Sequence, residues 1–283
     1  MKPDRGSLPL LLLPASAVFL GLFLLPMAGL FVESFRLYLP GSIGSAAGAP
    51  FTLANYAELL TPAFAGFFLE TMRISLLASL AGLLFAFPLA YWITRRFTAR
   101  WRAIAVGFFV TLMFLSVLVR TYALELTFGA TGPLRPYLQS LGISPNGRVY
   151  IETLVGGGLL HYIVPLATLT LLGTIQNVDP RLVDAAQALG APGWRAHLSI
   201  TVPLCMRGLL AAFLFAFTFS ISAFVIPMIL GKGRVLFISN LVYNRFSEIA
   251  DYPSGAAISM VLFFVALAIV YVTSHQVNRR WKS

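Results

Sequence analysis

Charge is scarce in this sequence. Only 11% of its 283 residues are Asp, Glu, Lys or Arg, while 58% are hydrophobic. A water-covered surface takes roughly a quarter charged residues, so the composition excludes a soluble globular protein, although the length would suit about two soluble domains. Acidic residues are the scarcer sign, ten against twenty Lys and Arg, which leaves a net charge of +10. In a soluble chain that balance would point to nucleic acid. Here the basic residues stand in short clusters between long apolar runs, a membrane-topology pattern that sets nucleic acid aside. A lone cysteine, Cys205, excludes an internal disulfide and any multi-cysteine zinc site; it reads as a small buried residue. His161, His197 and His275 are scattered and suggest no metal site. No phosphate loop of the form GxxxxGK[ST] occurs, so the chain cannot hydrolyse ATP by that route.

What the sequence has in abundance is apolar run length. A helix needs about 20 apolar residues to cross the hydrocarbon core. Six stretches supply them: Leu8 to Val32, about Phe67 to Ile93, Ala103 to Leu126, Ile151 to Ile175, Gly208 to Leu230, and Ser254 to Thr273. Runs of this length are helices, because barrel strands would alternate over about ten residues and lipid offers backbone groups no water partner. The first run follows Lys2 and Arg5 as a signal peptide would, but it is too long for a signal core and lacks a clear cleavage site, so it is expected to be retained.

Orientation follows from Lys and Arg. With the N-terminus inside, the inner segments hold Lys2, Arg5, Arg95, Arg96, Arg100, Arg102, Arg181, Arg195, Arg207, Arg279, Arg280 and Lys282. The outer loops hold only Arg36, Arg135, Arg148, Lys232, Arg234 and Arg245. The bias places both termini inside. Tyr91, Trp92, Trp101 and Trp281 suit an aromatic belt at the inner interface.

Two loops carry information. The outer segment Glu33 to Gly66 is long, with small residues from Gly41 to Pro50, and is expected to be mobile or to wrap the outer surface. The inner segment Gln176 to Arg207 has helix signals of its own: Asp179-Pro180 as a start and Gly190 as a stop. Pro192 and Pro203 then flank a second amphipathic piece with Trp194, His197 and Leu198. Such a hairpin needs a partner to cover its apolar side.

The run Asp184-Ala185-Ala186-Gln187-Ala188-Leu189-Gly190, followed after nine residues by Ile200-Thr201-Val202-Pro203, resembles the EAA loop of ABC importer permeases. The family pattern is Glu-Ala-Ala, three residues, Gly, nine residues, Ile, one residue, Leu-Pro. Asp184 stands for the Glu and Val202 for the Leu, and the spacing is kept in full. Two alanines permit close approach of another surface, Gly190 permits a turn closed to other residues, and a short helix on a rigid loop can enter a groove of a soluble partner. The resemblance implies a coupling helix between the fourth and fifth helices that docks into the ATP-binding subunit, through Asp184, Ala185, Ala186, Gly190, Trp194, Ile200 and Pro203. Further segments narrow the resemblance to spermidine/putrescine-type permeases: Leu118 to Ala123, Pro88 to Tyr91, Pro165-Leu166, Phe224 to Gly231, and Tyr252 to Ala257.

That resemblance implies an all-α integral membrane protein with the type I ABC importer permease fold. It also implies a second, homologous but different permease chain, two ATPase subunits that hold ATP and Mg, an extracytoplasmic solute-binding protein, and a bacterial inner membrane. This chain would bind no cofactor and would not be an enzyme. The expected organisation is residues 1–66 as tail, first helix and long outer loop, 67–274 as permease core including the coupling loop 177–207, and 275–283 as a basic cytoplasmic tail. The solute implied is a polyamine or similar organic cation; an opine, an amino-acid-like solute or ferric iron are alternatives within the same machinery. A self-contained secondary transporter would instead show paired repeats with broken helices, and no clear repeat is evident.

Ionisable groups at membrane depth are costly and often mark a pathway. Glu70, Arg73, Arg120, Glu125 and Glu152 are the candidates. Glu70 and Arg73, three apart, could pair on one helix face. Glu70, Glu125 or Glu152 could form an acidic gate for a cation, or each could be a structural or interfacial charge. Tyr122, Tyr162, Phe219, Phe224 and Tyr243 are candidates to line a path where cation–π contacts hold an ammonium group, with ordinary packing as the alternative for each.

Overall fold

The computed structural model describes residues 8–46 and 48–280, with side chains for 13–46 and 48–275. Lys2, Arg5, Trp281 and Lys282 lie outside the described residues, as do the side chains of Arg279 and Arg280. Apart from two isolated β-bridges, the described secondary structure is helical. Helix α1 (Leu8–Phe19) runs through a π-turn, Leu20–Leu24, into α2 (Leu25–Glu33). After the short α3 (Ala54–Glu58) come α4 (Pro62–Arg96), α5 (Ala99–Phe114), α6 (Val117–Phe128), α7 (Arg135–Ser140) and α8 (Arg148–Gln176). The inner loop carries α9 (Arg181–Ala188), α10 (Gly193–Ala196) and α11 (Val202–Leu204). Then follow α12 (Met206–Ser222), α13 (Val225–Leu230), α14 (Ile238–Tyr243) and α15 (Tyr252–Arg280).

Four continuous helices are long and apolar enough to cross a membrane: Leu13–Glu33, Pro62–Arg96, Arg148–Gln176 and Tyr252–His275. Two bent pairs bring the number to six if each counts as one crossing. The sequence expectation of a continuous third helix is corrected: Leu115 and Ser116 are extended, and α5 and α6 meet at 90°. The fifth is corrected too. It stops at Ser222, eight residues before the expected end, and restarts at Val225. Pro227 falls in the first turn of α13, where its missing N–H costs nothing, whereas inside a continuous helix it would break the ladder.

The residues divide into two compact units, each described separately: one up to Ala65 together with Leu241–Val265, the other Gly66–Asn240 together with the residues from Ala266 on. In the larger unit, α8 is the central helix. One cluster packs Ile151, Val155, Leu159 and Ile163 of α8 against Ile74 and Ala78 of α4 and Ile226 and Leu230 of α13. A second packs Ala167, Leu171 and Ile175 of α8 against Ala86, Ala90 and Ile93 of α4 and Ala212 of α12. Small residues set the approach. A Cβ on Gly82 would run into Ile163, and one on Gly158 would lie 2.7 Å from Leu230.

In the smaller unit the outer loop is tied down. The Asn55 side chain donates to the carbonyls of Ser34 and Arg36, both at 2.9 Å. Glu33 accepts from the amide and hydroxyl of Ser45 at 3.1 and 2.9 Å. The Gly44 amide donates to the Ala250 carbonyl at 2.8 Å and the Tyr38 hydroxyl to that of Ile249 at 3.0 Å. Of the two expectations for this stretch, wrapping is the one realised. Among the described side chains of α1 and α2, none is buried, so this span's apolar surface faces outward on all sides.

Candidate functional site

The loop 177–207 is built as its sequence dictates. Asp179 accepts from the Arg181 amide at 3.0 Å and opens α9. Gly190 closes it at φ +91°. The Ala191 amide reaches back to the Ala186 carbonyl at 3.0 Å and the Gly190 amide to that of Gln187 at 2.9 Å, the paired bonds of a Schellman stop that needs a left-handed residue. Val183 is buried against the chain. The opposite face, Leu182, Ala185 and Leu189, is exposed, spaced three and four residues apart, with Leu189 91% exposed. Trp194, Arg195 and Leu198 continue the exposed surface; Ala196 is buried, and Ile200 and Pro203 are half-buried. His197 packs edge-on against Tyr91 at 4.7 Å and touches the Thr201 hydroxyl at 3.2 Å. Asp184 is exposed, whereas Ala186, three residues on from Val183, is half-buried.

Two arginines, one ending α4 and one in α5, also close helix ends. Arg95 donates to the Ile175 carbonyl at 2.9 Å and to that of Val178, while Arg102 donates to that of Thr94 at 2.6 Å. They cap the ends of α8 and α4, whose last carbonyls lack helical partners. Nothing in a hydropathy profile separates such caps from free interfacial charge. Beside them an inner cavity of about 850 Å³ is lined by Thr174, Asn177, Asp179, Leu182 and Arg207 among others.

At membrane depth the structure corrects the pairing expected from sequence. Glu70 bonds Arg148 at 2.8 Å rather than Arg73. Arg73 bonds Glu152 at 2.5 Å, and Glu152 also takes Arg148 at 3.2 Å. The four side chains join α4 to the first turn of α8. Glu125 bonds Lys232 at 2.8 Å, joining α6 to the loop after α13. All three acids named for a cation gate are therefore spent on the chain's own cations. Their partners Arg148 and Lys232 went unrecognised because they lie 78 and 107 positions away in sequence, beyond any local spacing rule.

Arg120 is the opposite case. It is 5% exposed, and none of its three guanidinium nitrogens has a hydrogen-bond partner. Its guanidinium lies over the Tyr162 ring, 5.1 Å from the centroid, and Tyr162 stacks on Phe219 at 3.8 Å. An unpaired buried charge costs on the order of several kcal/mol, and a desolvated cation–π contact returns about 2. The contact does not close that balance. Of the other aromatic candidates, Tyr122 is half exposed and does not join this cluster. The Phe224 carbonyl accepts from Asn240 at 3.1 Å in the break before α13. Tyr243 belongs to the other unit. A largely apolar cavity of about 610 Å³ is lined by Phe85, Phe109, Leu124, Gly157, His161 and Pro165 among others, without Arg120, Tyr162 or Phe219.

Comparison with known proteins agrees with this architecture. Residues 88–282, more than half of the chain, match the family described as binding-protein-dependent transport system inner membrane component. The spermidine/putrescine transport system permease protein PotB of Escherichia coli (strain K12) is 28% identical over 235 residues, covering 81% of this chain and 85% of that protein. The inner membrane ABC transporter permease protein YdcU of the same organism is 27% identical over 235 residues, covering 78% and 75%. In three dimensions, a chain of a bacterial alginate ABC transporter, solved with its alginate-bound periplasmic protein, superposes with a TM-score of 0.74. It is 21% identical and covers 98% of this chain and 95% of that one. Four to six apolar spans thus agree with a known permease fold, and the chain belongs to the binding-protein-dependent transport system inner membrane component family, as a multi-pass permease component and not an enzyme.

Proposed function

We propose that this chain is one of two permease subunits of an ATP-driven importer that receives a small polar solute from an extracytoplasmic binding protein. A second, homologous permease chain completes the path. Two separate ATPase subunits, which hold ATP and Mg, dock on the loop 177–207. Both termini face the cytoplasm. The observation that carries the coupling assignment is the exposed stripe Leu182, Ala185 and Leu189, with Trp194 beside it, on a helix whose far side is anchored by buried Val183. An apolar stripe in that position calls for a groove in a soluble partner. Nucleotide-driven closure of the ATPase pair would pull on α9 and rock α8 and α12, to which the loop is joined at both ends.

The solute class favoured by the named relatives is a polyamine or similar organic cation. With its acids spent on Arg73, Arg148 and Lys232, this chain offers such a cation aromatic faces and leaves the negative charge to the second permease. A second reading, an amino-acid-like solute or opine, draws on the unpaired charge of Arg120.

Reconstitution tests the assignment. A tagged chain co-expressed with its neighbouring transport genes should bring down an ATPase subunit. In proteoliposomes it should take up spermidine or putrescine only with ATP inside and binding protein outside. Uptake by the chain alone, driven by an ion gradient, would establish a secondary transporter instead.

A further inference from the structure

We propose that Arg120 is a carboxylate-binding site whose ligand comes from outside this chain. Three observations converge on it. Arg120 is nineteen-twentieths buried, and none of its guanidinium nitrogens has a hydrogen-bond partner. No acidic side chain described within the spans of its unit bonds it: Glu70 and Glu152 are paired with Arg73 and Arg148, and Glu125 is paired with Lys232 through Oε1, its Oε2 buried without a partner. Its charge lies over the Tyr162 ring, itself stacked on Phe219, with His161 in electrostatic reach, and a ring face offers no acceptor for a planar fork of donors. A guanidinium takes a carboxylate through two parallel hydrogen bonds, and buried charges in proteins are paired.

The position suits a ligand that arrives during the transport cycle. Arg120 lies one turn from the bend at Leu115 and Ser116. It is also five residues, about 7.5 Å of helix rise, along α6 from Glu125 and its ion pair. Tyr162 and Phe219 are half-buried, so the aromatic pair that shelters the guanidinium is itself accessible. The carboxylate has two sources with the same chemistry. It is part of the solute, whose amine or hydrocarbon end then lies on the Tyr162–Phe219 stack, or it is an Asp or Glu side chain of the second permease.

The inference rests on the importer reading. Wild-type uptake in the full system is measured first, and failure there counts against that reading alone. The complete importer, with both permeases, ATPases and binding protein, is then compared with R120Q and R120K in proteoliposomes. Both variants should lose uptake by tenfold or more, R120K included, because a point charge cannot replace the fork.

Two arms separate the sources. In the first, labelled 4-aminobutyrate and 1,4-diaminobutane, equal in length and differing by a carboxylate for an ammonium, are bound at millimolar concentration to the solubilised assembly without binding protein. A solute carboxylate is indicated if only 4-aminobutyrate binding falls in R120Q. In the second, each membrane-depth Asp or Glu of the second permease is changed to its amide. A partner carboxylate is indicated if one change reproduces the R120Q loss and the double variant is no worse. Wild-type uptake in both R120Q and R120K overturns the proposal. So does a loss of uptake with neither a binding difference nor a matching acid.

Discussion

The Ser239 hydroxyl donates to the Ala223 carbonyl at 2.6 Å, and that bond replaces one that Pro227 cannot make. In a continuous helix the amide at 227 would bond the carbonyl at 223, four residues back. At the next residue the Phe224 carbonyl keeps its helical donor, the Met228 amide at 3.1 Å, and takes a second from Asn240 at 3.1 Å, while Asn240 accepts from the Phe237 amide at 3.0 Å. Thr71 accepts from the Ile238 amide at 3.0 Å and donates to the Phe67 carbonyl at 2.8 Å. Broken backbone within a membrane survives only when its polar groups are satisfied by protein in this way.

Replacing Ser239 with Ala should therefore destabilise the assembly by about 1–3 kcal/mol, the cost of a buried carbonyl left without its donor. Replacement with Thr, which keeps the hydroxyl, should be much milder. Thermal unfolding of the purified complex in detergent checks this; equal stability of S239A and wild type would show that the break does not depend on the bond.

The repeated membrane spans and the helix in the loop 177–207 that ends at Gly190 were legible because each has a local signature, run length in one case and start and stop residues in the other. The bends were not. Leu115 and Ser116 sit between equally apolar helices, so the hydropathy profile passes over two residues of extended backbone. Pro227 disfavours a continuous helix, yet the apolar run continues through it to Leu230, and Ser239 and Asn240 lie sixteen positions from the carbonyls they serve. Greater distances hid Arg148 from Glu70, Lys232 from Glu125 and Arg73 from Glu152; the Arg148–Glu152 pair, four apart, followed a local spacing that went unread. Spacing along one helix suggested Glu70 with Arg73, whereas the fold draws Arg148 in from α8. Arg120 was visible as a membrane-depth charge. Its lack of a partner is a property of the assembled helices and could not be read from the chain.

The network of Glu70, Arg73, Arg148 and Glu152 should behave as a structural tie between α4 and α8. Arg148 and Arg73 are more than half exposed, so water screens each bond and its contribution is modest. E70Q and R148Q should each lower stability slightly, and the double variant should be less harmful than the sum, because members of one network couple. The concentration of solute-loaded binding protein that gives half-maximal uptake should not move. A tenfold change of that concentration in E70Q alone would restore Glu70 to the solute path.

Helix packing at Gly82 makes a sharper case. A methyl group there would collide with the Ile163 side chain, so Gly82→Ala should cost about 1–3 kcal/mol through overpacking. Ile163→Ala removes the colliding atom at its own cost in a lost contact. The double variant should then be more stable than the sum of the two single losses predicts. Simple additivity would mean that α4 and α8 can shift apart at this crossing.

The exposed stripe of α9 separates coupling from folding. Leu189 is 91% exposed, so Leu189→Glu should leave the stability of the permease within roughly 0.5 kcal/mol of wild type. The charge would nevertheless enter an apolar groove of the ATPase subunit if that is where the stripe docks. Solute uptake should fall by an order of magnitude or more, and ATP hydrolysis should cease to respond to loaded binding protein. Gly190→Glu should act differently. It forces a side chain into a left-handed turn, at roughly 1–2 kcal/mol, so it should weaken the helix stop as well as the docking. Trp194→Ala, on the same exposed surface, should resemble Leu189→Glu in kind. The decisive comparison is between binding-protein-stimulated hydrolysis and thermal stability in all three variants. If Leu189→Glu kept stimulated hydrolysis at the wild-type rate, the motor would have to engage a different part of the loop 177–207.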